Sequence, residues 1–352
     1  MTKIINFASD NTAGVAPEIL SSLSVAATLS TMPYGDDIYT KKLRSLANEI
    51  FEREVKIYPV TTGSAANALA LATVSPPYGI IFCHKQAHIE EDECAAPEFY
   101  IGGGKLSLLE GDNAKFTAAS LQEKLTLDSP VPVVHRAQPA AVSITQATEL
   151  GTIYTVEEIS AISEVCKSNN IPLHMDGARI ANAIVSLGVA PADVTWQAGV
   201  DVLSLGATKN GVFAAEAVVF FDTSKAADFE FRRKRGGHLL SKLRFLSAQL
   251  VPYLNSNYWL KLAGNSNCRA KELAKGLEKV PSISLLFEVQ TNMVFIKMPS
   301  RLVDVLKNEN CIFYSWGENE GMVLARLVTS FNTTKEDVDG FLAAMDKAVS
   351  QS

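Results

Sequence analysis

Through the first two thirds of the 352-residue chain, short apolar runs, small-residue turns and helical patterns follow one another in a repeating order. That order predicts strand-helix units built on a mostly parallel sheet. Three units carry the prediction. Residues 56–60 read as a strand, Thr61-Thr62-Gly63-Ser64 as a turn, and residues 65–74 as an alanine- and leucine-rich helix stopped by Pro76-Pro77. Thr155 and Glu158 have capping-box spacing ahead of a helix with Ile159, Ile162 and Val165 on one face, closed by Asn169-Asn170. A strand over residues 171–176 follows and ends in a carboxylate. Residues 200–205 form a third apolar run that enters Gly206-Ala207-Thr208-Lys209-Asn210-Gly211.

From about residue 250 the pattern changes. Helical stretches surround a strand at residues 293–297, and a final helix is predicted from a Thr333/Glu336 capping box, with Val338, Phe341, Leu342 and Met345 inward. The expected organisation is a large domain over residues 1–250 and a smaller one over residues 251–352. Open parallel sheets bind ligands outside the carboxyl ends of their strands. Gly63-Ser64, Asp176 and Lys209 are therefore expected to converge although they are far apart in sequence.

Composition narrows the function. At 47% hydrophobic and 20% charged, the chain can bury a large core, and no stretch approaches the roughly 20 apolar residues of a membrane span. A net charge of −6 gives no electrostatic reason to bind nucleic acid. The polar start, Met1-Thr2-Lys3-Ile4-Ile5-Asn6, lacks the apolar region of a signal peptide, so the mature protein is expected to begin here. Cys83, Cys94, Cys166, Cys268 and Cys311 show no C-x-x-C pair, which predicts buried, reduced thiols in a cytoplasmic protein.

The candidate chemistry sits at strand ends. Lys209 stands in a small polar turn where a lysine gains nothing from packing, and burial of an amine favours the neutral form that attacks an aldehyde. Asp176 can pair with a protonated ring nitrogen; its alternative is a helix N-cap. Arg179 offers a fork for a carboxylate. Gly63-Ser64 ahead of a helix is a candidate phosphate seat, and Arg232 a cationic contact to the same phosphate. Arg233, Lys234 and Arg235 are expected on a solvated helix face. His84 and His88 have zincin spacing but lack the glutamate after the first histidine, so no metal site is expected. His88 can instead stack on a bound ring or move a proton. Satisfied or solvated positions are expected for His84, His135 and His238, and a plain turn at Gly102-Gly103-Gly104.

These residues carry a resemblance. The chain resembles the low-specificity L-threonine aldolases, pyridoxal-phosphate enzymes of the aspartate-aminotransferase fold (fold type I), through Phe7-Ala8-Ser9-Asp10-Asn11, Tyr34-Gly35-Asp36-Asp37-Ile38-Tyr39, Gly63-Ser64-Ala65-Ala66-Asn67, Ala87-His88-Ile89-Glu90, His174-Met175-Asp176-Gly177-Ala178-Arg179, Thr208-Lys209-Asn210-Gly211 and Ala325-Arg326-Leu327-Val328-Thr329. The resemblance implies an α/β architecture with a smaller C-terminal α+β domain, and pyridoxal 5'-phosphate held by Lys209 as a Schiff base. It implies that Asp176 binds the ring nitrogen, His88 stacks on the ring, and Gly63, Ser64 and Arg232 hold the phosphate. Ser9, Arg179 and Arg326 would hold the substrate carboxylate. A homotetramer of dimers is implied too, with Gly35-Asp36-Asp37 and Tyr39 reaching a neighbouring site.

The expected reaction is retro-aldol cleavage of a β-hydroxy-α-amino acid to glycine and an aldehyde, with His88 or Asp92 as the base. The chain departs from the family at Thr148, where many relatives have histidine, and at Asp92, where many have tyrosine. The preferred side chain and threo/erythro selectivity stay open for that reason. Within the fold, β-elimination, dehydration or transamination use the same lysine and aspartate, and a catalytically silent scaffold is the alternative of another class.

Overall fold

The computed structural model describes residues 4–128 and 134–351, so Met1 to Lys3 of the polar start lie outside the described residues. The apolar runs become the strands β1 (Lys56–Val60), β2 (Gly79–His84), β3 (Lys105–Leu109), β4 (Gln138–Thr145), β5 (Leu173–Gly177), β6 (Val202–Leu205) and β7 (Glu216–Phe220). They form one sheet in the order β1-β7-β6-β5-β4-β2-β3. Only β7 runs against its neighbours; β6, β5, β4, β2 and β3 pair in parallel. Helices cover both faces, so β2, β5, β6 and β7 are buried at every position and show no polar alternation. The carboxyl ends of β1, β5 and β6 consequently open on the same edge.

A second, antiparallel sheet contains β8 (Ser284–Leu285), β9 (Met293–Pro299), β10 (Tyr314–Asn319) and β11 (Met322–Val328), in the order β10-β11-β9-β8. Val294, Ile296, Leu327, Phe341 and Met345 form its core, and Ile5 and Phe7 from the start of the chain join them. Ile5–Asn6 pairs in parallel with Cys311–Ile312. Residue 250 falls inside the helix Arg244–Leu254, whose Leu246, Leu250 and Val251 belong to the core of the large sheet. The next long helix, Tyr258–Leu277, serves both cores: Leu262 and Ala263 pack in the first, Ala270, Leu273 and Leu277 in the second.

Several expectations shift. The last helix, Lys335–Ser350, is capped by Thr334 and Asp337, one residue later than expected. The sequence offers Thr followed by an acid three residues on in both registers; Thr333 instead accepts from the Ser330 amide at 2.8 Å. Leu342 is only partly buried, and Ala344 and Ala348 line the inner face beside Val338, Phe341 and Met345. Cys94 and Cys268 are exposed, not buried, the first in a turn with φ +51°, the second on an outward helical position. Arg233 leaves the solvated face: it is buried, lies 5.2 Å over the Tyr58 ring and donates to the Pro59 carbonyl.

Candidate active site

At the carboxyl ends of β1, β5 and β6 lies a cavity of about 370 Å³. Its wall brings together five of the residues singled out in the sequence: Gly63, Ser64, His88, Asp176 and Lys209. Each is placed by local structure. The helix Gly63–Val74 starts directly after β1, with Thr62 as N-cap accepting from the Ala65 amide at 3.2 Å. Its first amides, at Gly63 and Ser64, have no intrahelical acceptor and line the cavity, where the helix dipole favours an anion.

Asp176 is the fourth residue of β5, paired in register with Ser204 of β6. Its carboxylate is buried; Oδ1 accepts from the Ala178 amide at 3.0 Å and Oδ2 from Asn67 Nδ2 at 2.9 Å. Burial pushes its pKa up and nearby Glu93 adds to this, and together they outweigh the opposing influence of His88, the Ala178 amide and Lys209. Behind it His174 bridges Ser143 and Ser204, at 2.9 and 3.0 Å, and burial pushes that ring down to about 3, keeping it neutral.

Lys209 lies in the turn Thr208–Asn210 that follows β6. Glu216 at the start of β7 accepts from the Ala207 amide at 2.5 Å, and Asn210 is pinned to Tyr253 and to the Trp259 carbonyl at 3.0 and 2.9 Å. The turn is thus fixed on two sides. No described side chain holds the Lys209 amine in a hydrogen bond or ion pair.

His88 begins the short helix His88–Glu91, and its Nδ1 lies 2.8 Å from Glu93 Oε1. That bond raises the His88 pKa, against the effect of burial.

Arg179 and Arg326 belong to an adjoining cluster. Arg179 is buried and forks onto Asp10 through Nε and Nη2, at 2.7 and 3.0 Å. Burial works to raise the Asp10 pKa, but Arg179, Lys209 and Asn292 outweigh it and hold the carboxyl below its ordinary range. Arg326 lies over the Tyr314 ring at 5.5 Å, and burial together with the Arg179 charge lowers its pKa. Ser9 caps the turn Asp10–Thr12, accepting from the amide of Asn11, and Asn11 reaches the cavity wall.

Three expected residues lie elsewhere in the chain. Arg232 sits on the helix Phe229–Arg235 and lines a separate groove with Phe99, Tyr100 and Arg235, because that helix presents it to the outer face of the Ala96–Ile101 segment. The nearer side chain is His238, whose Nδ1 lies 2.7 Å from Thr61 at the cavity wall. Asp92 is exposed at the end of the His88 helix, and Tyr39, half-buried near the start of Ile38–Ile50, does not line the cavity. Sequence reasoning gave no role to Asn67, Glu93, Asp10 or Glu216. A polar residue one turn along an otherwise apolar helix was the available signal for Asn67; no spacing pointed to the others.

Residues 6–299 match the beta-eliminating lyase family. A low specificity L-threonine aldolase of Pseudomonas aeruginosa is 40% identical over 332 residues, 94% of each chain. The structure of a threonine aldolase from Leishmania major superposes with a TM-score of 0.92 at 26% identity, covering 98% of this chain and 99% of that one. At 13% identity, a structure of SPT with PLP shares the fold, with a TM-score of 0.71 over 99% of this chain and 88% of that one. Fold and site therefore define a pyridoxal-phosphate-dependent enzyme of fold type I, a lyase. More narrowly, the chain belongs to the beta-eliminating lyase family and, within it, to the low-specificity L-threonine aldolases. The cavity fits the cofactor of this class. It holds a carboxylate whose pKa is raised by burial, an unengaged amine, a helix N-terminus and an imidazole in one wall. Among the described residues no helix is long and apolar enough to cross a membrane.

Proposed function

We propose that this chain cleaves L-threonine, L-allo-threonine and related β-hydroxy-α-amino acids such as phenylserine to glycine and an aldehyde by retro-aldol cleavage. The convergence of Lys209, Asp176, His88 and the Gly63-Ser64 helix start on one cavity carries the reading, and the likeness to aldolases along nearly the whole chain supports it. When bound, pyridoxal phosphate supplies an electron sink for the Cα–Cβ bonding pair.

The chain's own groups do the rest. Lys209 would hold the cofactor's aldehyde carbon, Asp176 would pair with the ring nitrogen, His88 would support the ring, and the Gly63 and Ser64 amides would hold the phosphate. Arg179, Arg326 and Ser9 would hold the substrate carboxylate and so fix the orientation of the Cα–Cβ bond that is to be cleaved. With Asp10 on its Nε edge, Arg179 has Nη1 left for that contact. His88 takes the β-hydroxyl proton as the carbon-carbon bond breaks, directly or through one water. Asp92 is the weaker base, since it is exposed outside the cavity wall.

Arg232 and Tyr39, which do not line their own chain's cavity, are assigned to a neighbouring subunit's site, in a homotetramer built of dimers. A large cofactor-binding part and a smaller C-terminal part, with the helix Tyr258–Leu277 shared between their two cores, complete the proposal for a protein of the cytoplasm. The test is an absorption spectrum from about 300 to 550 nm before and after borohydride, with glycine and aldehyde assays on L-threonine. A visible band lost on reduction, with glycine formed, is expected for the wild type, and Lys209→Ala should lose both. A keto acid with ammonia in place of glycine and aldehyde would make the chain an eliminating enzyme instead.

A further inference from the structure

Four side chains around the cavity form one hydrogen-bonded unit whose centre is Glu93. Glu93 Oε1 accepts from Asn67 Nδ2 at 2.8 Å and lies 2.8 Å from His88 Nδ1; the same Asn67 Nδ2 donates to Asp176 Oδ2 at 2.9 Å. Glu93 is 5% exposed as a residue, and its side chain is wholly shielded from solvent. Its other oxygen and Asn67 Oδ1 are both buried without a partner. A surface pair leaves no such atoms, and packing alone gives no reason to bury an acid between a ring and an amide.

The donors are fixed by elimination. An ionised carboxylate only accepts, so the shared oxygen requires the proton on His88 Nδ1 and requires the nitrogen of the Asn67 amide to face both acids. We propose that Glu93 is the positioning residue of this site: it holds His88 against the cavity with Nδ1 protonated and, through Asn67, ties that ring to Asp176. One unit then sets both the ring-face group and the ring-nitrogen group. The arrangement leaves His88 Nε2 as the unprotonated end, the one a base must present to the β-hydroxyl. This rests on the assignment of His88 as that base.

The acids that act on His88 are Glu93 in direct contact, Asp176 from β5 and Glu149 from the segment after β4; all three raise its pKa, and burial opposes them. Removing the contacting acid therefore lowers the titration of His88 and unsettles its tautomer. Asp176 and Glu149 remain to hold part of the shift.

The chain has five histidines, so their ring resonances can be followed by NMR in the cofactor-free protein, with His88→Asn assigning the relevant one. In the wild type His88 should titrate above 6.5, the ordinary value, with Nδ1 protonated in the neutral ring. In Glu93→Gln the midpoint should fall by about one unit or more. In the holoenzyme, kcat should fall roughly tenfold or more with a smaller change in KM, and its acid limb should move with the His88 midpoint. Added to His88→Asn, Glu93→Gln should cost little further kcat, because it acts through that ring. A wild-type His88 midpoint at or below 6.5 overturns the proposal even if the variant fails to fold. So does an unchanged midpoint in Glu93→Gln, or kcat losses that simply multiply. Should His88→Asn leave cleavage intact, it is the assignment of the base that fails, while the titration still reports on Glu93.

Discussion

Glu216 shows how much of this site depends on groups behind the wall. Its carboxyl accepts from the Ala207 amide ahead of Lys209, and burial pushes its pKa from 4.5 up to about 7. A carboxyl raised in the folded state binds more protons there than when unfolded, so its stabilising contribution is complete below pH 4.5 and is lost as the pH rises through about 7. The change is on the order of 3 kcal/mol across that window. In cofactor-free protein, the urea midpoint should therefore decline between pH 5 and 7.5, and Glu216→Gln should flatten that slope. An equal slope in the variant would assign the dependence to other groups. Neither Glu216 nor Glu93 stood out in the sequence, because an isolated glutamate reads as a surface residue unless its burial is known.

The turn after β6 is decided by a close approach between elements. A Cβ on Gly206 would come within 2.3 Å of the Ala178 carbonyl oxygen and 2.5 Å of its carbon, both backbone atoms that cannot swing aside. Gly206 therefore lets the end of β6 lie against the segment that follows Asp176, and so sets the distance from Asp176 to Lys209. Gly206→Ala should cost about 1–3 kcal/mol by overpacking and weaken pyridoxal phosphate binding at least tenfold. Thermal melting and a titration of the visible band check the two effects; an unshifted band titration would show that the turn does not depend on this contact. At this scale the sequence was informative: β1, the capping box of the Val156–Ser168 helix and the lysine just past a strand were all readable from local pattern. The last helix moved by one residue because two capping boxes overlap, and only packing selects between them.

Across the whole molecule, the Asp10–Arg179 pair links the two cores. Phe7 packs with Phe341 in the core of the small sheet, and three residues later Asp10 is locked onto Arg179 beside β5 of the large one. Asp10→Asn leaves the buried Arg179 without its contacting carboxylate, which should cost about 3–5 kcal/mol and lower the melting temperature of the whole chain in one transition. Because the folded pKa of Asp10 is depressed, this contribution is present above the ordinary carboxylate range and is lost as the pH falls. The wild type should thus lose stability below about pH 4 more steeply than the variant. Parallel acid-limb melting curves would contradict the linkage.

By itself the sequence determined the α/β class, the strand-end positions of Asp176 and Lys209, and the helix start at Gly63-Ser64. These follow from hydrophobic period and turn chemistry within a few residues, and parallel topology then places strand ends on a common edge. Tertiary structure alone decided that Glu93 and Asn67 join His88 to Asp176, that Asp10 occupies the fork of Arg179, and that Arg232 faces a different groove. Those are contacts between residues up to 169 positions apart. Their partners are chosen by how helices and strands pack in three dimensions, which a one-dimensional pattern does not encode.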